Sequence, residues 1–545
     1  MAERLFGLET EYAFALLDRQ GRRIIQSPAV EKLLAAARRR LIHLPDAHSS
    51  GMFLTNGARF YVDCGCHPEF ASPELANPWD AVRYVKAGEK LLEELAAEVV
   101  QSQVTIGQAC LFRQNVDYSG SGNTWGSHES YLHRANPNLF RQYLIPHLVS
   151  RIIYTGAGGF ESNSHGIHFT LSPRVPHLTA VSSLESTHGR GVLHTKNEPL
   201  SSEGYHRLHL ICSESLYSEW AIFLRVGTTA LVVAMIEAGL RPGAQVMLRE
   251  PLEAMRVFAS DPGCTKTART VPGEFLTAVG IQRCYLAQAE AHLHDSFMPP
   301  WAEEVCRQWR QALELLASGG PEAVATRLDW AIRHSIFTQF LRSQGFSWRT
   351  LRKWNRVAEM NGRLLNTATP PPEIAALAFL RGEEILIEEA PPELAPQLRL
   401  RGTSAEGFSK FQTLRSRMFE LDTRLGQLGS AGILSQLDQS GVLDHHMPGV
   451  DNVEQAREFP PAIGRAKLRG ECVRRLGSTN ANREGCICDW RAIWDQPQDR
   501  MLDLSDPFAQ HADWKAAPPR PARRPGPSRG PRPPLWEVLN DNVLF

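Results

Sequence analysis

The sequence has no excess of charge of either sign and no long apolar run. Lysine plus arginine and aspartate plus glutamate number 59 each, so the formal net charge is zero. This balance gives no reason to expect binding to a specific nucleic acid or to an anionic membrane surface. The most apolar run, residues 226–236, is shorter than the roughly 20 residues that cross a bilayer. It predicts a buried helix and no membrane partner.

The ten cysteines follow no regular framework, which argues against a disulfide scaffold. Two Cys-x-Cys pairs occur, Cys64 with Cys66 and Cys486 with Cys488. Zinc binding at the first pair, which His67 follows, stays open, but reduced cytosolic thiols are the simpler interpretation. The first residues also lack the apolar segment of a signal peptide. We therefore expect a cytoplasmic protein.

Two short segments place polar side chains on one face and apolar side chains on the other. Side chains alternate along a strand with period two, so Glu9 and Glu11 share a face. For the same reason Arg59, Tyr61 and Asp63 share a face of a second strand. A patch of carboxylates and a guanidinium is costly to bury unless metal ions or phosphates neutralise it.

The sequence contains no Walker A loop and no G-x-G-x-x-G motif. A nucleotide, if bound, must be held in another way, and phosphates bridged by Mg²⁺ to a carboxylate-lined sheet are one such way. A third alternating segment supports this idea, because Arg207 and His209 share one face of it. Each residue taken singly is more often structural, and the combination of three segments indicates a site for phosphoryl transfer.

The pattern along the chain predicts a large domain over residues 1–455 and a small C-terminal domain over 456–515. Asn77 followed by proline is typical of a helix start. Within the large domain, prolines interrupt the helical pattern at about 361–407, which we interpret as a surface insertion. Residues 516–545 are rich in proline and arginine, and we expect a disordered tail there.

Several segments, in this order, carry a family resemblance: Gly-Leu-Glu-Thr-Glu-Tyr (7–12), Asn-Gly-Ala-Arg-Phe-Tyr-Val-Asp (56–63), His-Pro-Glu-Phe-Ala-Ser-Pro-Glu (67–74), Gly-Ser-His-Glu-Ser-Tyr-Leu (126–132), Tyr-His-Arg-Leu-His (205–209) and Leu-Arg-Gly-Glu-Cys (468–472). They resemble the Pup ligase and depupylase family of carboxylate–amine ligases, which is related to glutamine synthetase. The resemblance implies an α+β fold. A curved, mainly antiparallel sheet would form a cradle packed on helices, with a small C-terminal domain.

The resemblance also implies roles for ten residues of this sequence. Asp63 matches the catalytic aspartate of the family. The positions that match nucleotide contacts are Arg59, Ser72, Arg207 and Trp490. The positions that match metal-site residues are Glu9, Tyr61, Glu69, His128 and His209. ATP and Mg²⁺ are the implied cofactors.

Ligases of this family use ATP to phosphorylate the C-terminal glutamate of Pup, a small protein tag. A substrate lysine then attacks, and the isopeptide bond marks the protein for proteasomal degradation. The resemblance therefore implies two kinds of partner, a Pup-like tag and lysine-bearing proteins. The alternative is a depupylase or deamidase, which hydrolyses the same bond or a C-terminal glutamine of the tag.

The direction of the reaction depends on smaller features. Depupylases carry a long extra loop before the Asn-Gly-Ala-Arg strand, and residues 27–51 leave no room for it, which favours a ligase. Residues 127–129 and 469–475 look more like the depupylase branch. The family pattern Thr-Arg-Asp-Glu-Pro-His is here Thr-Lys-Asn-Glu-Pro-Leu (195–200), so this sequence lacks an arginine and an acid that the resemblance associates with tag binding or phosphate contact. A non-catalytic ATP-binding scaffold and a small-molecule ligase are further alternatives.

Overall fold

The computed structural model of the protein describes residues 4–24, 28–185, 189–365, 405–477 and 485–517. The fold is α+β, as predicted, with one large, mainly antiparallel sheet packed against helices. Most of the predicted insertion and nearly all of the predicted tail lie outside the described residues. The division into two domains stays a prediction.

The large sheet has nine strands within the described residues, and all neighbouring pairs except β11–β12 are antiparallel. In spatial order its strands are Ala180–Ser183 (β11), Gly191–His194 (β12), His206–Leu210 (β13), Ser127–His133 (β8), Phe6–Glu11 (β1), Pro68–Ala71 (β6), Arg59–Val62 (β5), Met52–Leu54 (β4) and His43–Pro45 (β3).

Smaller sheets complete the strand inventory of the described ranges. Three of them are two-stranded: Ala13–Asp18 (β2) with Ile106–Phe112 (β7), Gly159–Phe160 (β9) with Phe169–Thr170 (β10), and Thr267–Arg269 (β14) with Phe275–Thr277 (β15). One is four-stranded and lies near the C-terminal end: Cys486–Cys488 (β16), Ala492–Asp495 (β17), Arg500–Asp503 (β18) and Trp514–Ala516 (β19).

The helices flank these sheets. In chain order they are Ala29–Arg40 (α1), Pro78–Ser102 (α2), Asn138–Tyr143 (α3), Ile145–Ser150 (α4), Ile152–Thr155 (α5), Glu219–Glu237 (α6), Pro251–Ala259 (α7), Ala278–Ala291 (α8), Ala302–Ala323 (α9), Asp329–Ser343 (α10), Trp348–Leu365 (α11), Ala405–Leu425 (α12), Ile433–Gln439 (α13), Val453–Glu458 (α14) and Gly464–Leu476 (α15). Helix α2 begins as predicted, because Asn77 caps it by accepting the amide of Asp80 at 2.9 Å.

Helix α6 contains the apolar run that the sequence singles out. By length and composition the helix could cross a membrane, since it has 19 residues. Every residue from Glu219 to Ile236 is buried inside the protein, however, and the helix packs against α2, α9 and β8. The apolar run therefore belongs to a central core helix, as predicted, although the helix extends beyond the run at its N-terminal end.

A buried ion pair anchors the central strands to this helical layer. Glu129 of β8 points away from the polar face of the sheet, and Arg151 donates to both of its oxygens at 2.7 and 3.0 Å. Both side chains are at most 2% exposed. Removal of Glu129 would leave the buried Arg151 charge without this partner, and removal of Arg151 would leave Glu129 with only the longer Arg225 contact at 3.9 Å, so the pair helps to fix the strand that carries His128.

The helix α15 and the four-stranded sheet share a small apolar core with residues of β3 and β4. The amide of Ala47 also donates to the carbonyl of Cys488 at 2.9 Å. Glu74, just after β6, accepts from Arg465 and Arg469 of α15. Arg469 is fully buried, so these charges lie at the junction between α15 and the large sheet.

We expect Glu74→Gln to weaken this junction by about 3 kcal/mol at neutral pH, because it leaves two buried guanidinium groups without a charged partner. The two arginines outweigh burial and lower the pKa of Glu74 from 4.5 to about 2. A carboxyl whose pKa is depressed on folding contributes stability above its unfolded pKa and loses it as the pH falls. The difference between wild type and variant should therefore shrink as the pH falls from 4.5 towards 2.

Urea unfolding at several pH values measures this difference. The matched control is Glu471→Gln, an exposed residue of the same helix. We expect the control to change the free energy of unfolding by less than about 0.5 kcal/mol. A Glu74→Gln protein as stable as the control at pH 7 would contradict the assignment.

Candidate functional site

The strand register brings the predicted site residues together on one face of the large sheet. Glu9 lies opposite His128 of β8, and Glu69 of β6 lies opposite both Glu11 and Tyr61. Residues that face each other in antiparallel strands have their side chains on the same side. The alternation seen in the sequence is therefore confirmed, and the polar faces of five strands form one surface. All ten predicted site residues line a single cleft of about 1080 Å³ above it.

Glu9 is the charged centre of one half of this surface. Its Oε1 accepts from the Arg207 guanidinium at 3.0 Å, and its Oε2 lies 3.6 Å from His128 Nδ1 and 3.8 Å from His209 Nε2. Burial opposes ionisation of Glu9, but Arg207 and the two histidines outweigh it and hold its pKa well below the usual range. Glu9 is therefore an ionised carboxylate beside two imidazoles.

Glu69 is the charged centre of the other half. It is 3% exposed, and its Oε1 is buried without a hydrogen-bond partner. Burial and the charges of Glu9 and Glu11 raise the pKa of Glu69 well above its usual range. A cation bound beside these carboxylates would oppose that shift and favour their charged forms.

Three overlapping groups of side chains can hold cations here. The first is Glu9, His128 and His209, the second is Glu11, Glu69 and His128, and the third is Glu11, Asp63 and His67; in each, one ligand atom per residue lies within 4.8 Å of the others. The Nε2 of His209 is also buried without a hydrogen-bond partner. Unpartnered polar atoms in a carboxylate-rich pocket fit metal binding. Burial and the charges of Glu9 and Glu69 raise the pKa of Tyr61, which leaves a neutral phenol and a weak ligand.

Asp63 lies in a tight turn that directly follows β5. Its carboxylate accepts from the backbone amide of His67 at 2.6 Å and lies 3.1 Å from His67 Nδ1. Burial opposes the charge of Asp63, but the hydrogen bonds and charge of His67 outweigh it and lower the pKa of Asp63. Asp63 is thus ionised, fixed in direction and exposed to the cleft.

Arg59 is positioned by a residue that the sequence analysis missed. Asp46, which follows β3, has a side chain only 2% exposed and accepts from Arg59 Nε at 2.6 Å. The guanidinium also lies 4.0 Å above the Tyr61 ring. The pair leaves Arg59 on the cleft wall with a fixed orientation, which suits an anionic ligand.

Trp490 and Ser72, two other predicted nucleotide contacts, differ in how readily their side chains could contact a nucleotide. Trp490 lies beside the cleft with its ring 5.1 Å from Phe53, and Arg469 stacks on it at 4.6 Å. Ser72 lines the cleft, but its hydroxyl accepts from the amide of Leu8 at 3.0 Å and donates to the carbonyl of Pro73. These hydrogen bonds link the hydroxyl to the backbone on both sides of it. Its role as a nucleotide contact stays a prediction.

The structure adds residues to the predicted site. Glu11 and His67 belong to the cation-binding groups, and the alternation of Glu11 with Glu9 was the signal that could have included it. Arg174 and Arg190 also line the cleft, and no motif in the sequence marks them. Asn197, where the family pattern has an acid, accepts from the backbone amide of Arg207 at 2.9 Å. The substitution therefore keeps an acceptor that holds the strand of Arg207.

Comparisons with known proteins identify the family of this chain. A family model described as Pup-ligase protein matches residues 4–360. The Pup–protein ligase of Acidimicrobium ferrooxidans is 35% identical over 522 residues, which cover 93% of this chain and 96% of that one. The Pup–protein ligase of an Arthrobacter species is 32% identical over 356 residues, which cover 63% of this chain and 76% of that one.

Solved structures show the same fold. The ligase PafA in complex with the prokaryotic ubiquitin-like protein Pup superposes with a TM-score of 0.69 at 22% identity, covering 93% of this chain and 90% of that one. PafA in complex with ADP superposes with a TM-score of 0.63 at 24% identity, covering 85% of this chain and 88% of that one. With the family match over more than half of its length and the relative at 35% identity, the chain belongs to the Pup ligase family.

Proposed function

We propose that this protein is an ATP-dependent ligase that joins Pup or a Pup-like tag to lysine side chains of other proteins. One observation carries the proposal. The chain shares 35% identity over 93% of its length with a Pup–protein ligase, and the face of its sheet collects ionised carboxylates, imidazoles and arginines around one cleft. That combination suits the transfer of a phosphoryl group to a carboxylate.

In this proposal ATP lies in the cleft with its phosphates above the polar face of the sheet. Glu9 and Glu69 would hold Mg²⁺, with His128, His209 and Tyr61 completing the surroundings. When bound, Mg²⁺ offsets the negative charge of the phosphates. Arg207, which Glu9 and Ser130 hold in place, provides a fixed positive charge for the transferring group.

Asp63 acts on the second substrate. The lysine arrives as an ammonium ion and must lose a proton before its nitrogen can attack the acyl phosphate at the C-terminal glutamate of the tag. The ionised Asp63 carboxylate, oriented by His67, accepts that proton. The nitrogen then forms the amide bond, and inorganic phosphate leaves.

The remaining predicted residues bind the nucleotide. Arg59, held by Asp46, provides an oriented cation, and Trp490 provides an aromatic face next to the cleft. Their positions support nucleotide binding, as does the ADP complex of a protein with the same fold. We also propose that the protein works in the cytoplasm, where its ten cysteines stay reduced.

A single reaction mixture tests the proposed direction. It contains the protein, ATP, Mg²⁺, a Pup-like tag ending in glutamate and an acceptor protein with exposed lysines. We expect a tag–acceptor conjugate, detected by mass spectrometry as an isopeptide bond, together with release of ADP. A parallel mixture contains preformed conjugate without free tag.

The two mixtures distinguish the alternatives. Conjugate formed in the first mixture, at a rate that exceeds cleavage in the second, supports the ligase. Cleavage of the conjugate without any ligation would replace the proposal by the hydrolase alternative. A tag ending in glutamine serves as the control, because a ligase without deamidase activity leaves it unreacted.

A further inference from the structure

A second cluster of candidate metal ligands lies outside the cleft, at the N-terminal end of the core helix α6. Asp438 comes from α13, and His445 and His446 come from the loop that follows it. One ligand atom from each of the three lies within 4.8 Å of the others. None of the three lines the cleft described above, so the cluster is independent of the proposed ligase chemistry.

The spacing of this cluster fits a small cation. The Nε2 atoms of His445 and His446 each lie 3.1 Å from Asp438 Oδ1. Zinc–nitrogen and zinc–oxygen bonds of about 2.0–2.2 Å at tetrahedral angles separate the ligand atoms by about 3.3 Å. The two separations from Asp438 are therefore close to those of ligands around one ion, and the ligand atoms of the two histidines lie within 4.8 Å of each other.

The close contact between His445 and Asp438 falls short of full hydrogen-bond geometry. His445 is only 1% exposed, and both its Nε2 and Asp438 Oδ1 are buried without a hydrogen-bond partner. The two atoms are close, yet their orientation is not that of a hydrogen bond. A buried polar atom without a partner is costly, and an ion bound between the two atoms would satisfy both.

The outer contacts match those of known metal sites. Tyr217 donates its hydroxyl to the other oxygen of Asp438 at 3.1 Å. His446 Nδ1 lies 3.2 Å from Glu219 Oε1, which favours a proton on Nδ1 and a lone pair on Nε2. A carboxylate behind a histidine in this way is the usual support of a metal ligand.

One backbone contact bears on ligation by His445. Its Nδ1 lies 3.4 Å from the backbone amide of Glu219, a long contact that is lost if the ring proton moves to Nδ1 on metal binding.

We propose that Asp438, His445 and His446 bind one zinc-type divalent cation, with a water molecule in the open fourth position. His446 is 61% exposed on its side chain, which gives the ion a path from solvent. The bound ion would tie the loop after α13 to the first turn of α6. The loop continues to Pro448, whose carbonyl accepts from Trp79 of α2, so the ion would also stabilise this helix contact.

Zinc content per chain tests the proposal. The full-length protein is stripped with a chelator, reloaded with zinc, desalted and analysed by elemental mass spectrometry. We expect His446→Ala and Asp438→Asn each to lose one equivalent of zinc relative to wild type. The exposed His294→Ala is the matched control and should lose none. Because the wild type and the variants share the same cleft, the difference in zinc content between them reports on the Asp438, His445 and His446 cluster alone.

Thermal unfolding provides the second readout. We expect zinc to raise the unfolding midpoint of wild type and of the His294→Ala control by the same amount, and to raise that of His446→Ala by less. Since His446 is exposed, its replacement leaves the fold intact. Equal zinc content and equal zinc-induced shifts in all four proteins would overturn the proposal. In that case His446 only makes polar contacts with the carboxylates of Asp438 and Glu219.

Discussion

Asp63→Asn should reduce conjugation by about 10³-fold while ATP binding stays unchanged. Asparagine has the shape of aspartate, and its side-chain oxygen can still accept from the backbone amide of His67, so the turn after β5 is kept. The amide cannot accept a proton from a lysine ammonium. Asp63 forms a candidate cation group with Glu11 and His67, but it belongs to neither group that contains Glu9 or Glu69, the residues proposed to hold Mg²⁺, so we expect nucleotide affinity to stay unchanged.

Single-turnover conjugation and calorimetric ATP titration measure the two quantities separately. The matched control is Asp513→Asn, an exposed aspartate near the end of the described chain, which should match wild type in both measurements. Conjugation by Asp63→Asn at the wild-type rate would remove Asp63 from the mechanism. A loss of ATP affinity would instead place Asp63 in the metal site.

Glu9→Gln should have the second large effect. It should weaken the Mg²⁺-dependent binding of nucleotide, which Asp63→Asn leaves unchanged. Glu9 is the only carboxylate that lies within 4 Å of Arg207, His128 and His209 together among the described residues. The glutamine side chain keeps the shape of Glu9 but removes the negative charge that would hold a cation. Loss of a supporting carboxylate costs metal sites 10–100-fold, and loss of a direct ligand should reach about 100-fold or more.

Titrations of nucleotide at several Mg²⁺ concentrations show this effect. We expect wild type to bind ATP more tightly as Mg²⁺ rises, and Glu9→Gln to lose most of that dependence. Glu203→Gln, an exposed residue outside the cleft lining, controls for the change of charge. If Glu9→Gln bound ATP with the wild-type dependence on Mg²⁺, Glu9 would not be a metal ligand.

Local patterns in the sequence predict individual strands and helices well, because backbone geometry alone sets them. The period of two in β1 and β5 placed Glu9, Arg59 and Tyr61 on one face, and the structure confirms it. The cap at Asn77 marked the start of α2 for the same local reason. Neither pattern requires knowledge of what packs against the element.

Contacts between distant segments could not be predicted in this way. Asp46 orients Arg59 through an ion pair that depends on the pairing of β3, β4 and β5, and nothing in its own neighbourhood marks it. The hydroxyl of Ser72 is engaged by the neighbouring backbone, which a motif match cannot show. The cluster at Asp438 likewise depends on the docking of a loop against α6.

The sequence by itself thus determined the family, the α+β class and the residue types of the site. The ordered motifs indicate the family and its fold class, and the alternation of polar and apolar residues indicates which residues share a strand face. The tertiary structure decided which charges face each other, which atoms are left without a partner and which residues hold the site in place. Those properties arise from strand register and from burial, and both depend on segments that lie far apart in the chain.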